Sequence, residues 1–210
     1  LRVFYVALGG ERWTWQPLLA VLIVATMVIG SIWGLTQTDI KRTLAYSSIA
    51  HAGFIMTAVV GASTGSPTNP LDSVASAMFY LVVYGLASVG AFAVITMVRT
   101  ESGEANSIAS WSGLGRTSPL LAGIFALFML SFTGIPLTGG FIGKWAVFAA
   151  AWRGGVDWLV IVAVLLSVVA AVFYLRIIVV MFFGEPVDGV VVGRASAFTW
   201  LPIAVCALGV

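Results

Sequence analysis

The sequence predicts an all-α fold, a polytopic transmembrane helical bundle with one discontinuous helix around residues 133–141. Three observations predict it. The 210 residues are 60% hydrophobic and 9% charged, with a mean hydropathy of +1.09, whereas soluble domains carry about 25% charged residues. The charged residues fall in clusters, and the apolar tracts between them reach the roughly 20 residues that a helix needs to cross about 30 Å of hydrocarbon. Strand-like alternation is absent from these tracts, and one of them, "TGIPLTGGFIGKWAVF" at 133–148, combines helix breakers with a lysine.

Taken in order, residues 1–9 have neither the charged start nor the cleavage site of a signal peptide and read as the end of a truncated transmembrane helix, so the chain is expected to be a fragment. A first full span is expected at about 17–36, with Pro17 tolerated in its first turn. "DIKR" makes a tight corner into a second span at 42–60, with Thr38 as a plausible N-cap and Asp39 in the first turn. "GASTGSPTNP" is a loop by composition, and a third span follows at 73–98, closed by Arg99. The polar stretch 99–117 has room for a short surface helix. Residues 118–152 would run about 52 Å as one helix, too long for a straight crossing, so something interrupts them. The fifth span is expected at 158–184, "EPVDG" is a turn, and 195–210 begins a further transmembrane helix. Residues 17–184 thus form one five-helix unit.

Because successive loops alternate sides, Lys41, Arg42, Arg99, Arg116 and Arg194 fall on one side, against Arg12 and Arg153 on the other. The lysine- and arginine-rich side is expected to be cytoplasmic, and Trp13, Trp15, Trp152 and Trp158 gather at the outer interface. No basic stripe or aromatic platform suggests nucleic acid. A single cysteine, Cys206, excludes an internal disulfide and a CxxC pair, and no metal-ligand spacing occurs.

Backbone groups freed within hydrocarbon must find partners, so a break is tolerated only where it is buried in protein or lines a wet cavity. Gly134, Pro136, Gly139 and Gly140 place such a break between Thr133 and Phe141, with Lys144 in the first turn of the second half-helix. A lysine there can release its proton, as an arginine cannot, which suits a proton relay. The competing reading is a snorkelling lysine whose head reaches the outer interface beside Arg153. His51, the one histidine of the chain, lies ten residues beyond Lys41, about 15 Å along a helix and near mid-depth. Lys41, Leu44, Ser48 and His51 share a face, with Ser47 at its edge, so hydroxyls lie between a mouth lysine and a mid-membrane imidazole that can exchange protons near neutral pH. That is the pattern of a proton path, with Lys41 and His51 as relay candidates. The alternative is a histidine that only binds helices together through hydrogen bonds. Tyr80 and Tyr84 extend a polar path or satisfy single hydrogen bonds. Arg176 reads as structural, and Asp39, Asp72 and Asp157 as caps or topology markers. No carboxylate lies within a full span, so a path using one must draw it from elsewhere.

At "TQTDIKRTLAYSSIAHAGF" (36–54), "GLGRTSPLLAGIFALFMLSFTGIPLTGGFIGKWAVF" (113–148) and "FYLRIIVVMFFGEP" (173–186), the sequence resembles the antiporter-like proton-pumping subunits of respiratory complex I. Within that superfamily it is most similar to the subunit N group of bacterial NADH-quinone oxidoreductase. The resemblance implies a 14-helix subunit with two inverted five-helix repeats, of which this chain supplies the tail of the eighth helix through part of the fourteenth, including the second repeat. It implies that Lys144 is the ionisable residue of the second broken helix, and that His51 and Lys41 are the mid-membrane histidine and the corner lysine. Tyr84 falls where some sister subunits have another histidine. The first repeat's ionisable residues would precede Leu1.

It further implies an enzyme only as part of a complex. NADH, FMN, iron-sulfur clusters and quinone belong to other subunits, with no cofactor on this chain, while the chain moves protons. The implied partners are the other membrane-arm subunits, the lipid bilayer, protons and internal water, in a multi-pass protein of the bacterial inner (plasma) membrane. Two rivals stand beside this reading. One is a subunit of a multisubunit sodium/proton antiporter or membrane-bound hydrogenase; the other is a non-conducting membrane scaffold.

Overall fold

A computed structural model of the chain describes residues 12–62, 70–100, 103–193 and 197–210. The expected helix tail at 1–9 and Arg194 lie outside the described residues. Helices α1 (Arg12–Thr36), α2 (Ile40–Ala62), α3 (Pro70–Met97) and α7 (Asp157–Phe183) are long and apolar enough to cross a membrane. Between them, α5 (Pro119–Thr133) and α6 (Gly139–Arg153) have 15 residues each. Each is about 22 Å long, short of the hydrocarbon thickness, so only in series do they cross it. A last helix, α8 (Ala197–Leu208), packs against α3 and α5.

Small residues set the closest helix pairs, as expected where lipid is as apolar as the side chains it would displace. Gly30 of α1 faces Tyr46 and Ala50 of α2, Gly53 faces Thr26 and Met27, and Gly61 faces Ala151 of α6. Around Phe54, buried residues of α1, α2, α3, α6 and α7 form one core, and around Trp111 and Phe125 a second core joins α3, α5 and α7.

Three sequence expectations change. Helix α1 begins at Arg12, so Pro17 sits in its second turn, near the exposed beginning of the helix. The cap of α2 is Asp39, whose Oδ1 accepts the Arg42 N–H at 3.0 Å, and not Thr38, whose carbonyl instead accepts from Ile108 N–H. The stretch 99–117 holds more than a short helix. β1 (Val98–Thr100) pairs antiparallel with β2 (Gly103–Glu104) and with β3 (Val190–Val192), and a 3-10 turn at Ile108–Trp111 and α4 (Leu114–Thr117) follow. β-branched residues on both β1 and β3 favour pairing, and Gly103, at φ 134°, takes a backbone conformation that other residues rarely enter.

This sheet, the α1–α2 corner and the start of α5 lie at one end of the bundle, with Lys41, Arg42, Arg99 and Arg116. The opposite end holds Arg153 and the exposed Trp152 and Trp158.

Candidate functional site

The break begins where α5 runs out. Gly134, at φ 82°, closes α5 in a left-handed cap, its N–H donating to the Ser131 and Leu130 carbonyls while Ile135 N–H reaches Leu130 O at 3.2 Å. This is a Schellman arrangement, which needs a residue without Cβ strain at that position. Pro136 and Leu137 (φ 80°) then form the middle of a turn closed by Thr138 N–H to Ile135 O at 3.2 Å. Proline at the second position and positive φ at the third is the pattern of a type II turn. Leu137 carries that strain without being a glycine, and its side chain is fully exposed on the bundle surface. Thr138 caps α6 by accepting from Phe141 N–H.

The unwound segment is therefore 134–138, and Gly139 and Gly140, expected within the break, are the first residues of α6. Their glycines serve close approach instead: a Cβ on Gly140 would fall on the Ser131 carbonyl, and one on Gly139 would lie 3.0 Å from Val83.

This register moves Lys144 from the expected first turn into the second turn of α6. Its side chain points back toward the break and is 6% exposed. Nζ donates to the carbonyls of Phe132 at 2.8 Å and Thr133 at 2.9 Å, and to Ser167 Oγ of α7 at 2.9 Å. Those carbonyls are the C-terminal, partially negative end of α5, so the ammonium faces the complementary end of one half-helix. The head points inward, not toward Arg153 as a snorkelling lysine would. Nζ also sits 5.4 Å above the centre of the Phe54 ring. A pocket of about 330 Å³, open at the surface of the bundle between α6 and α7, is lined by Thr133, Gly134, Lys144, Trp145, Ser167 and Ala171.

A second polar set surrounds His51, which is 1% exposed. Nδ1 lies 2.7 Å from Tyr80 Oη on α3, and Nε2 lies 3.1 Å from Tyr174 Oη on α7. A neutral imidazole has one N–H donor and one acceptor nitrogen, so one tyrosine accepts from the ring and the other donates to it. Tyr174 also hydrogen-bonds Ser47. Tyr84 stacks on the imidazole, 4.3 Å between centres and 21° between planes, and donates its hydroxyl to Ser48 at 2.8 Å. Gly143 of α6 makes room for this set, since a Cβ there would lie 2.7 Å from the Tyr80 ring.

The structure thus gathers His51, Ser47, Ser48 and Tyr84 in one cluster. It keeps Lys144 on the far side of Phe54 and Phe132, whose rings lie 5.6 and 5.7 Å from the imidazole. Lys41 stands apart at the end of the bundle, in an ion pair with Glu104. Arg176 donates to Leu35 O at the end of α1, a structural contact. Tyr174, Ser167 and Glu104 join the site without being singled out by the sequence. A polar side chain within an apolar span marked the first two, but nothing in sequence joins Glu104 to Lys41 across 63 residues.

Fold and site together define a polytopic helical membrane protein organised around a broken helix with a buried ammonium. The family described as NADH:quinone oxidoreductase/Mrp antiporter, TM, matches residues 1–170, and the chain belongs to it. It is 52% identical to NADH-quinone oxidoreductase subunit N of Cutibacterium acnes, over 99% of this chain and 40% of that protein. It is 53% identical to subunit N of Acidothermus cellulolyticus, over 100% of this chain and 39% of the relative. The chain therefore spans about two fifths of the length of these relatives. Its fold matches a chain of respiratory complex I from Thermus thermophilus with TM-score 0.77 and 30% identity, covering 91% of this chain and 42% of that one. It also matches a chain of the Mrp complex from Dietzia sp. with TM-score 0.76 and 26% identity, covering 90% and 34%.

Proposed function

We propose that this chain is part of a membrane subunit of a bacterial NADH-quinone oxidoreductase and carries half of a proton path through it. The observation that carries the reading is Lys144, an ionisable head buried at the junction of two half-helices and held by the carbonyl end of one of them. Intramembrane ionisable groups are costly and mark ion pathways, and a lysine can hold and release a proton there.

In this reading protons arrive from the Lys41 end, on the cytoplasmic side of the bacterial inner membrane. They pass the Ser47, Ser48, Tyr84 and Tyr174 hydroxyls to His51, and reach Lys144 across the Phe54 and Phe132 rings on internal water. The pocket beside Lys144 opens at the bundle surface on the α7 side and has room for water next to Lys144, Ser167 and Thr133; its lining includes neither His51 nor the Phe54 and Phe132 rings. We place the redox chemistry outside this chain: an iron-sulfur cluster is ordinarily held by four cysteines, and this chain has one. NADH, FMN and quinone are likewise assigned to the remainder of the complex, and the neighbouring membrane subunits are the partners.

Fold alone does not separate this from a sodium/proton antiporter subunit, because the Mrp chain matches as well in shape. Identity above 50% to several subunit N proteins, against 26% to the Mrp chain, favours the complex I reading.

The test places Lys144→Met and Lys144→Arg in the full-length gene and measures NADH-driven proton pumping by membrane vesicles containing assembled complex. Both variants should lose most of the pumping, arginine because it keeps the charge but releases no proton. Pumping at the parent rate in both would make Lys144 a packing residue.

A further inference from the structure

Among the described residues, the long spans carry carboxylates only in their first turns, Asp72 of α3 and Asp157 of α7, yet the mouth of the path has one beside Lys41. Glu104 is held there by three separate attachments. It forms β2 with Gly103, with Arg99 of β1 as its cross-strand neighbour. The segment behind it is tied to the α1–α2 corner, with Ile40 N–H donating to Asn106 O at 2.8 Å and Ile108 N–H to Thr38 O at 2.9 Å. Trp111, fully buried, donates from its indole to Ala105 O at 2.7 Å and packs on Phe125 of α5, 4.7 Å between ring centres.

So fixed, the Glu104 carboxylate forms an ion pair with Lys41, on the same face of α2 as Ser48 and His51, and the two side chains are 33% and 36% exposed. The other described carboxylates at this end have different surroundings. Asp39 caps α2, while Glu185 and Asp188 are exposed. Among the described residues, Lys41 pairs with Glu104 and Arg99 stands across from it on β1, while Asp39 and Arg42 belong to the neighbouring α1–α2 corner.

We infer that Glu104 is the proton-collecting group of this path and that its ion pair with Lys41 is the closed state of the mouth. The inference rests on the relay reading above. Hydronium at the surface gives its proton to a Glu104 oxygen, forming one O–H bond and leaving water. The neutral acid no longer attracts the Lys41 ammonium, and the pair opens. Glu104 then passes that proton to water on the Lys41–Ser48 face, regains its charge, and the pair closes again. One proton has moved inward and both side chains are back in their starting states. A position one-third exposed suits the role, since the carboxylate keeps access to solvent while it is paired with the α2 lysine.

The experiment uses the complete complex in vesicles, with pumping read as membrane potential by an oxonol dye. Glu104→Gln should lower the initial rate roughly ten-fold in assembled complex, less than the 10²–10⁴ of a positioned acid-base group because water still enters unaided. Glu104→Asp should keep at least half the rate. Acetate in the medium should restore much of the loss in Glu104→Ala, because a mobile carboxylate replaces a proton collector but not a structural tie. The double variant Lys41→Gln/Glu104→Gln leaves no unpaired charge and serves if the single variants assemble poorly; acetate should raise its rate as well. Parent rates in Glu104→Gln, or losses that acetate never relieves, would overturn the proposal. Lys144→Met in the same vesicles separates the two readings. Silence there removes the relay itself, whereas loss there beside a full rate in Glu104→Gln removes only the role of Glu104.

Discussion

The Lys144 ammonium donates to Ser167 Oγ at 2.9 Å, and this bond ties the second half-helix to α7 at the depth of the break. The other two ammonium hydrogens go to α5 carbonyls, so the lysine joins three helices. Ser167→Ala removes one acceptor and leaves a donor facing the open pocket beside α7. Leaving a buried donor unpaired costs about 1–3 kcal/mol, less where water takes the vacant place. The expected outcome is an assembled complex with pumping lowered several-fold and electron transfer reduced with it, while Ser167→Thr, which keeps the hydroxyl, stays near the parent. Equal rates in Ser167→Ala and the parent would show that two carbonyls suffice to hold the lysine.

The glycines of the break separate by what lies beside them. A Cβ on Gly140 would meet the Ser131 carbonyl, a backbone atom that cannot swing away, so Gly140→Ala must push α6 off α5 and shift Lys144 with it. Overpacking of this kind costs about 1–3 kcal/mol. Gly123, in α5, has nothing within 4 Å of the same atom, and alanine there should be neutral or stabilising by about 0.5–1 kcal/mol through helix propensity. Melting of the purified complexes checks both. Gly140→Ala should melt several degrees lower or assemble poorly, and Gly123→Ala should not. The reverse order would contradict the packing of the two half-helices.

Much of this was legible because membrane helices are written in long apolar tracts. The excess length of 118–152, with Gly134 and Pro136 near its middle, announced a break. Lys144 lies one turn further into the second half-helix than the sequence suggests, because Gly139 and Gly140 look like breakers in sequence but act as contact points in a helix. His51 stood out as a lone histidine at mid-depth, whereas Tyr174 did not, because its partners come from helices more than 120 residues away. The small sheet was hidden for the same reason: β1 is three residues long and its partner β3 lies some 90 residues on. Pairings set by tertiary contact leave no local period to read.

The two tyrosines on His51 make separable demands. Tyr174→Phe leaves Ser47 and Nε2 without their shared hydroxyl, and Tyr80→Phe leaves Nδ1 without its partner. If both residues act by setting the tautomer and orientation of the imidazole, each should lower pumping in the parent but have little further effect once His51 is replaced by phenylalanine. Residues in one hydrogen-bonded network couple by about 0.5–3 kcal/mol, so the double-mutant cycles have a clear expectation. Pumping rates of the four single and double variants, beside His51→Phe alone, supply them. Full additivity would mean that the tyrosine hydroxyls serve packing or another path. Strong coupling through Tyr174 with additivity at Tyr80 would place the working proton on Nε2, on the side where Ser47 and the mouth of the path lie.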